Sequence, residues 1–226
     1  KDNINSKFYN NDKIKINNIN QLKLLWKYKD IPKKKLEEKW IENIEISPIY
    51  AEGKIFYISA KHKFYAMDVE DGNIIWSKQL LHYPARRGFL WNNEHIYLPT
   101  GNRIYKLNAN NGKLIKNFGT NGYIITDSYI KFSPIINKNK IYTVNYHASL
   151  MSHDKNTGKK IFEYNLLPKK NFWGGVPWGG MALDEINNII YVVTGNPRPG
   201  TYGVKRLGNN KNSDSIIAFD LNKKKI

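Results

Sequence analysis

The 226-residue chain contains no cysteine. Disulfides, zinc-thiolate sites and thiol nucleophiles are therefore excluded. Without cysteines, the sequence does not indicate whether the protein works in an oxidising or a reducing compartment. Long apolar runs are missing as well, since no stretch approaches the roughly 20 residues that a membrane-spanning helix needs. The N-terminal sequence Lys1-Asp-Asn-Ile-Asn5 lacks the apolar core of a signal peptide.

Acidic residues are few, with 19 Asp and Glu against 36 Lys and Arg, and the formal net charge is +17. Such a charge raises nucleic acid or an anionic membrane as a partner. The lysines are scattered, however, mostly beside Asn or Gly in predicted turns, as at Lys138, Lys140 and Lys159. A basic helix or a clustered basic stripe is missing. Solvated turn lysines are therefore the preferred interpretation, an anionic partner is the alternative, and no nucleic-acid partner is predicted.

What the chain does contain is a large number of short runs rich in Tyr, Ile and Val. These runs alternate between apolar and polar residues with a period of two and are separated by turn residues, which is typical of β-strands. The hydrophobic content of 41% is ordinary for a globular core. The sequence therefore predicts an all-β fold with almost no helix.

Four segments of the chain resemble one another, each with several short strands and a tight turn. They cover approximately residues 44–80, 88–122, 130–166 and 178–226. Equivalent polar residues, spaced 40, 46 and 66 positions apart, stand at the repeated turn: Asp68, Asn108, Asp154 and Asp220. A period of about 40 to 50 residues with several strands per unit indicates β-propeller blades. We therefore predict one partial propeller domain, residues 1–226, with about four blades.

The segment 172–184 has the most unusual composition, with two tryptophans and four glycines between positions 172 and 180. Glycine weakens both helices and strands, and bulky aromatic rings need a flat surface to pack against. Such a stretch is typical of backbone held close to a planar partner. The sequence Thr-Gly-Asn-Pro at 194–197 and the segment 208–220 follow it.

A second notable region begins with His-Tyr-Pro-Ala-Arg-Arg-Gly at 82–88 and closes with Phe-Gly-Thr-Asn-Gly at 118–122. A planar guanidinium is the side chain best suited to bind carboxylates and quinone oxygens. Taken alone, the pair Arg86 and Arg87 would be interpreted as a solvated surface.

Together these segments resemble pyrroloquinoline quinone-dependent (quinoprotein) dehydrogenases, especially the branch that includes membrane-bound glucose dehydrogenases. The pattern Ala66-x-Asp68-x-x-x-Gly72-x-x-x-Trp76 is similar to the docking motif of these propellers, in which the tryptophan packs between adjacent blades. The family has eight blades. The resemblance, which covers roughly residues 20 to 226, therefore implies the N-terminal half of the ring and a natural protein that continues past Ile226.

The resemblance implies roles for four residues, each with a structural alternative. Arg87 matches the arginine that binds the quinone cofactor, and Trp178 matches the tryptophan on which the cofactor stacks, although Trp178 could be a further docking residue. His82 matches the position at which a histidine covers the cofactor in the glucose dehydrogenase branch. The alcohol dehydrogenases have a Cys-Cys disulfide at this position. The alternative is that His82 is a loop residue, as a lone histidine more often is. Asn196 matches an amide ligand of Ca²⁺ or Mg²⁺, with a turn-forming Asn before Pro as the alternative. Trp173 is a weaker candidate for stacking.

Two features of the family pattern are missing. The segment 144–149 has no carboxylate where the alcohol dehydrogenases have a glutamate metal ligand, and the catalytic aspartate of the family would lie beyond Ile226. The catalytic residue is therefore unassigned.

The resemblance implies an enzyme that oxidises a sugar or another alcohol, with hydride transfer to pyrroloquinoline quinone and a divalent metal at the quinone. Electrons would pass to a respiratory acceptor such as ubiquinone or a cytochrome, the protein would be periplasmic, and a membrane anchor would lie outside this chain. Because the base is missing, the chain alone is expected to be inactive. The alternative is a non-catalytic propeller that acts as a periplasmic assembly scaffold.

Overall fold

The computed structural model describes residues 13–30, 45–168, 175–197, 203–205 and 208–226. Within these ranges the regular structure consists of fifteen β-strands and two single-turn 3-10 helices. The strands form four antiparallel sheets, and strands that are consecutive in the sequence are neighbours in the sheet. The prediction of a nearly all-β chain with four consecutive antiparallel sheets is confirmed.

The first two sheets have four strands each. The first sheet contains β1 (Ile49–Ala51), β2 (Lys54–Ile58), β3 (Lys63–Asp68) and β4 (Ile74–Gln79). The second sheet contains β5 (Leu90–Asn92), β6 (His95–Thr100), β7 (Arg103–Asn108) and β8 (Tyr123–Ile125).

The third sheet also has four strands, and the fourth has three within the described residues. The third sheet contains β9 (Ile135–Asn137), β10 (Lys140–Val144), β11 (Ser149–Asp154) and β12 (Lys160–Asn165). The fourth contains β13 (Met181–Asp184), β14 (Ile189–Val193) and β15 (Ile216–Asp220). The 3-10 helices are Ile19–Gln21 and Gly203–Lys205.

One turn geometry recurs in all four sheets, at the ends of β3, β7, β11 and β15. In the first sheet the Asp68 backbone N–H donates to the Asn73 carbonyl, and the Asp68 carboxylate accepts from the Glu70 N–H at 2.8 Å. The same two bonds are made by the polar residue that begins each of the other turns, namely Asn108, Asp154 and Asp220. An Asp or Asn is needed here because a short side-chain acceptor caps the backbone of its own turn.

Each turn also contains one residue with positive φ, and in the first two sheets this is the residue on which a tryptophan docks. Trp76 of β4 lies against Gly112 of the second sheet so closely that a Cβ on Gly112 would be 2.7 Å from the indole. The Trp76 indole N–H donates to the Ala109 carbonyl at 2.8 Å. Trp26 makes the same contact with the first sheet, at Gly72 and the Val69 carbonyl. The docking role predicted for Trp76 is therefore present, and Trp26 is a second instance that the sequence reading did not identify.

Three apolar clusters lie between successive sheets. The first includes Phe64 of β3 and Leu98 of β6, and the second includes Ile104 of β7 and Ile141 of β10. The third joins the third and fourth sheets through residues such as Phe219. The sheets are therefore stacked in sequence order, with a core between each pair.

The fourth sheet is covered on one face only. Residues of β14 and β15 alternate strictly between buried and exposed, so that Ile190 and Ile217 pack on the third sheet while Val193 and Ile216 are exposed. Strands β10 and β11 in the third sheet, by contrast, are buried on both faces.

In the part of the chain that the structure describes, no helix has the length and apolar character needed to cross a membrane.

Replacing Trp76 by alanine should lower the free energy of unfolding by about 3 kcal/mol, because both ring packing and the bond to Ala109 are lost. Urea denaturation measures the change. The control is Ile75→Ala in the same strand, whose side chain is 45% exposed, and it should cost much less. Equal losses in the two variants would show that the tryptophan does not hold the sheets together.

Stability should also fall on acidification because of His153 in β11, which is 3% exposed. Burial, assisted by the charge of Lys160 and opposed by Glu163, lowers the pKa of His153 from 6.5 to about 4. Between these two values the unfolded chain binds more protons than the folded one, so the free energy of unfolding falls as the pH is lowered through this window. We expect a loss on the order of 3 kcal/mol.

Urea denaturation at pH 7 and pH 4.5 measures this loss. The variant His153→Leu should reduce the pH dependence, whereas His147→Gln, which alters an exposed histidine, should retain it. An unchanged pH dependence in His153→Leu would contradict the assignment.

Candidate functional site

The candidate site lies at one end of the four sheets, opposite the recurring turns. The connections β4–β5, β8–β9, β12–β13 and β14–β15 all emerge at this end, because every sheet is an antiparallel meander that runs in the same sense. All four residues singled out from the family pattern stand on these connections: His82, Arg87, Trp178 and Asn196.

The backbone of Arg87 is held against the neighbouring connection. Its N–H donates to the Lys131 carbonyl at 3.1 Å, and the two segments form a short parallel bridge between Arg87 and Phe132. Gly88 follows with φ of 121°, a conformation that favours glycine, and this residue bends the chain into β5. The arginine therefore projects from a fixed backbone rather than from a free loop.

The Arg87 guanidinium contacts one carboxylate and one aromatic ring. Its Nε lies 3.5 Å from Oε2 of Glu45, and its Cζ lies 5.9 Å from the centre of the Trp178 ring. The structure thus brings together two residues that are 91 positions apart in the sequence. Glu45 was not singled out from the sequence, because a single Glu before β1 carries no pattern of its own.

Trp178 presents an open aromatic face, since the residue is 43% exposed. Its indole rests on the backbone of Gly195, where a Cβ would lie 3.2 Å from Cδ1 of Trp178 and 2.8 Å from the Val176 carbonyl oxygen. Gly179, which directly follows Trp178 in the sequence, makes no such approach to the indole. A Cβ on Gly179 instead meets only Val193, at 3.4 Å, so Gly195 is the glycine that the contact with Trp178 requires.

Asn196 directly follows this glycine and is exposed. Its backbone carbonyl accepts from the Gly175 N–H at 2.8 Å, which ties the β14–β15 connection to the segment that carries Trp178. Within the described ranges, no group of three or more His, Asp or Glu side chains could hold a metal ion. The Asn196 amide oxygen is therefore at most one ligand of a metal site that needs others.

His82 has a different partner. Its Nε2 lies 2.9 Å from a guanidinium nitrogen of Arg103, at the β6–β7 turn. Because arginine only donates, Nε2 must accept, which requires an imidazole without a proton on this nitrogen. The cofactor-covering role stays a prediction.

The aspartates at positions 127, 154 and 184 lie at different ends of the sheets. Asp154 and Asp184 stand in turns at the opposite end of the sheets, where backbone N–H groups hold the pKa of each carboxyl below its ordinary value. Asp127 alone of the three is on the site's end, where it accepts a hydrogen bond from the Asn145 side chain and lies 3.5 Å from Nδ1 of His147.

These residues fit a planar anionic cofactor in part. Trp178 offers an aromatic ring for stacking, Arg87 offers a positive charge over that ring, and Gly195 has no side chain that would displace the indole. Of the residues predicted to bind the metal, the described part of the chain contains Asn196 alone. The earlier part of the glycine-rich segment, with Trp173, lies outside the described residues.

The family described as "PQQ: Glucose/ethanol/alcohol dehydrogenase, beta-propeller domain" matches residues 1–131 and 168–225 of the chain. Among individual relatives, the chain is similar to methanol dehydrogenase [cytochrome c] subunit 1 of Methylobacterium organophilum, with 25% identity over 78% of this chain and 37% of the relative. It is also similar to the quinohemoprotein alcohol dehydrogenase of Comamonas testosteroni, with 25% identity over 92% of this chain and 35% of the relative.

The fold agrees with these matches. The crystal structure of the Comamonas testosteroni enzyme superimposes on 82% of this chain and 34% of that chain, with a TM-score of 0.67 and 20% identity. The prediction of a quinoprotein-type β-propeller, present here in part, is confirmed. The chain spans about a third of the length of these relatives.

Substituting Gly195 by alanine should disturb Trp178, because the new methyl group would stand too close to both the Val176 carbonyl and the indole. We expect a loss of about 1–3 kcal/mol in stability, as for other overpacked positions, and a change in tryptophan emission. Urea denaturation and fluorescence spectra test this, with Gly179→Ala as the matched control. Equal effects of the two substitutions would mean that Gly195 does not support the ring.

Proposed function

The chain belongs to the PQQ-type glucose, ethanol and alcohol dehydrogenase β-propeller family, and on this premise we propose that it carries part of the cofactor site of a dehydrogenase that oxidises a sugar or another alcohol. The observation that supports the proposal most directly is the contact between Arg87 and Trp178 beside Gly195 and Asn196. An aromatic face, a cation and an amide oxygen from two distant segments meet at one place.

When bound, pyrroloquinoline quinone supplies the oxidising group that takes two electrons from the alcohol. Trp178, supported by Gly195, would provide the aromatic surface for stacking. Arg87 would contribute a positive charge for the carboxylate or quinone oxygens of the cofactor. Glu45 orients the guanidinium, because a carboxylate 3.5 Å from Nε restricts the rotation of the side chain.

Asn196 would offer its amide oxygen to Ca²⁺ or Mg²⁺. Calcium takes six to eight oxygen ligands in proteins, so most of the shell would come from other groups, including the cofactor. The family implies this cofactor and a divalent metal, and Asn196 is the residue of this chain that we assign to the metal.

We place the protein in the glucose dehydrogenase-like branch, with a respiratory acceptor such as ubiquinone and a periplasmic location. The absence of cysteine supports this choice, because a disulfide cannot cover the cofactor. His82 would take that place after breaking its hydrogen bond to Arg103, which is exposed to solvent.

Cofactor binding by the isolated 226-residue chain tests the site. Titration of pyrroloquinoline quinone with Ca²⁺ should quench tryptophan fluorescence, and both Trp178→Ala and Arg87→Gln should weaken binding by about 10-fold or more. Arg86→Gln is the matched control because it removes the adjacent guanidinium, which does not contact Trp178, and it should leave binding almost unchanged. Wild-type affinity in Trp178→Ala would refute the stacking assignment.

The isolated chain should show no dye reduction with glucose, even with cofactor and metal present. General-base catalysis typically contributes ~10²–10⁴-fold, and the family's catalytic aspartate is not among the residues that we assign to this site. Robust turnover would prove this wrong. Asp127 would then be the first residue to substitute, since Asp154 and Asp184 are at the other end of the sheets.

A further inference from the structure

A separate cleft of about 310 Å³ opens between the first and second sheets at the same end of the molecule. Its floor is apolar and buried, formed by Ile46, Ile58 and Ile130. Neither Arg87 nor Trp178 lines it. The cleft is thus distinct from the site described above, and its size is at the lower end of the range for small-molecule pockets.

Aromatic side chains form the walls of the cleft. His62 and Tyr83 meet edge to face with ring centres 4.5 Å apart, and Tyr129 also lines the cleft. Tyr83 and Tyr129 are 68% and 60% exposed. Large aromatic rings that remain exposed beside an apolar floor offer a surface on which a flat ligand can stack.

Two cations stand at the rim, Arg86 and Lys131. Lys131 is half-buried, and its Nζ lies 5.5 Å from the centre of the Tyr129 ring. Burial, and secondarily the charge of Arg86, lower the pKa of Lys131. The Glu45 carboxylate lies 4.0 Å from Arg86 and is shared with Arg87. The rim therefore has an excess of positive charge.

We propose that this cleft binds a small aromatic carboxylate, with the ring against the exposed tyrosines and the carboxylate on Arg86 and Lys131. An inorganic anion would use the two cations but not the apolar floor. A neutral aromatic alcohol would use the walls but leave the two cations repelling each other. Only a ligand with an aromatic ring and a negative charge can contact both the apolar walls and the two cations. This proposal does not depend on the cofactor assigned to Trp178.

Titration of the complete 226-residue chain with benzoate, followed by calorimetry or NMR, tests the proposal. Benzyl alcohol and inorganic phosphate serve as comparison ligands, each lacking one part of the recognised chemistry. We expect benzoate to bind at least 10-fold more tightly than either, and its affinity to fall with added salt because surface charges are screened. Comparable affinity for phosphate or for benzyl alcohol would overturn the proposal.

Variants identify the residues. Arg86→Gln and Lys131→Met should each weaken benzoate binding by about 10-fold, Lys131→Arg should retain most of it, and Tyr83→Ala should weaken benzoate but not phosphate. Lys113→Met, an exposed lysine in the β7–β8 connection at the opposite end, is the matched control. Circular dichroism of each variant checks that it is folded. Unchanged binding in both folded rim variants would refute the assignment.

Competition separates this cleft from the cofactor site. Arg87→Gln should lose pyrroloquinoline quinone and keep benzoate, and Arg86→Gln should do the opposite. Displacement of benzoate by the quinone from the wild-type chain would show that the cleft is part of the cofactor site, and the proposal would be wrong. Failure of quinone binding alone would leave the cleft unaffected.

Discussion

The arrangement of the sheets depends on a recurring contact in which a side chain or backbone of the preceding segment lies on a tight turn of the next unit. At the first, second and fourth sheets the contacting group is an aromatic ring, whereas at the third sheet Gly119 and Ile124 cover Gly158. Trp26 and Trp76 each cover a glycine with positive φ, and a Cβ at either glycine would be 2.7 Å from the ring. Phe162 occupies the same place in β12 and stacks on Phe219 of the fourth sheet, 5.9 Å between ring centres. The ring excludes water from the interface, and its fit requires a residue with positive φ beneath it. These contacts set the spacing between sheets and hence the positions of the loops at the other end.

The site follows from this spacing. The connections that carry Arg87 and Trp178 lie on different sheets and come within contact distance only because the sheets are stacked in order. The parallel bridge between Arg87 and Phe132 adds a second constraint, since it fixes the backbone from which the guanidinium projects. A site built in this way is rigid without being buried, which suits a planar ligand that enters from solvent.

Arg86 and Arg87 show how one short segment can serve two places. They are the two central residues of a turn in which the Gly88 N–H donates to the Ala85 carbonyl. Arg87 meets Trp178, Arg86 lines the cleft between the first and second sheets, and Glu45 lies within 4.0 Å of both guanidinium groups. The shared carboxylate couples the two places electrostatically.

Local patterns in the sequence determined the strands, the repeated turns and the docking role of Trp76, because alternation, a capping Asp or Asn and a glycine at a fixed distance are all short-range signals. They also identified Arg87 and Trp178 through the family resemblance. Only the tertiary structure decided that Gly195 supports Trp178, that Glu45 pairs with Arg87 and that His82 meets Arg103. Each of these contacts joins segments far apart in the chain, and a single Gly, Glu or Arg has no periodic pattern that marks its partner. Lys106 is a further case, because a lysine in a strand is expected at the surface. It is nevertheless 4% exposed and donates to the Lys155 carbonyl of the next sheet. The reason is that neighbouring sheets cover both faces of the second sheet.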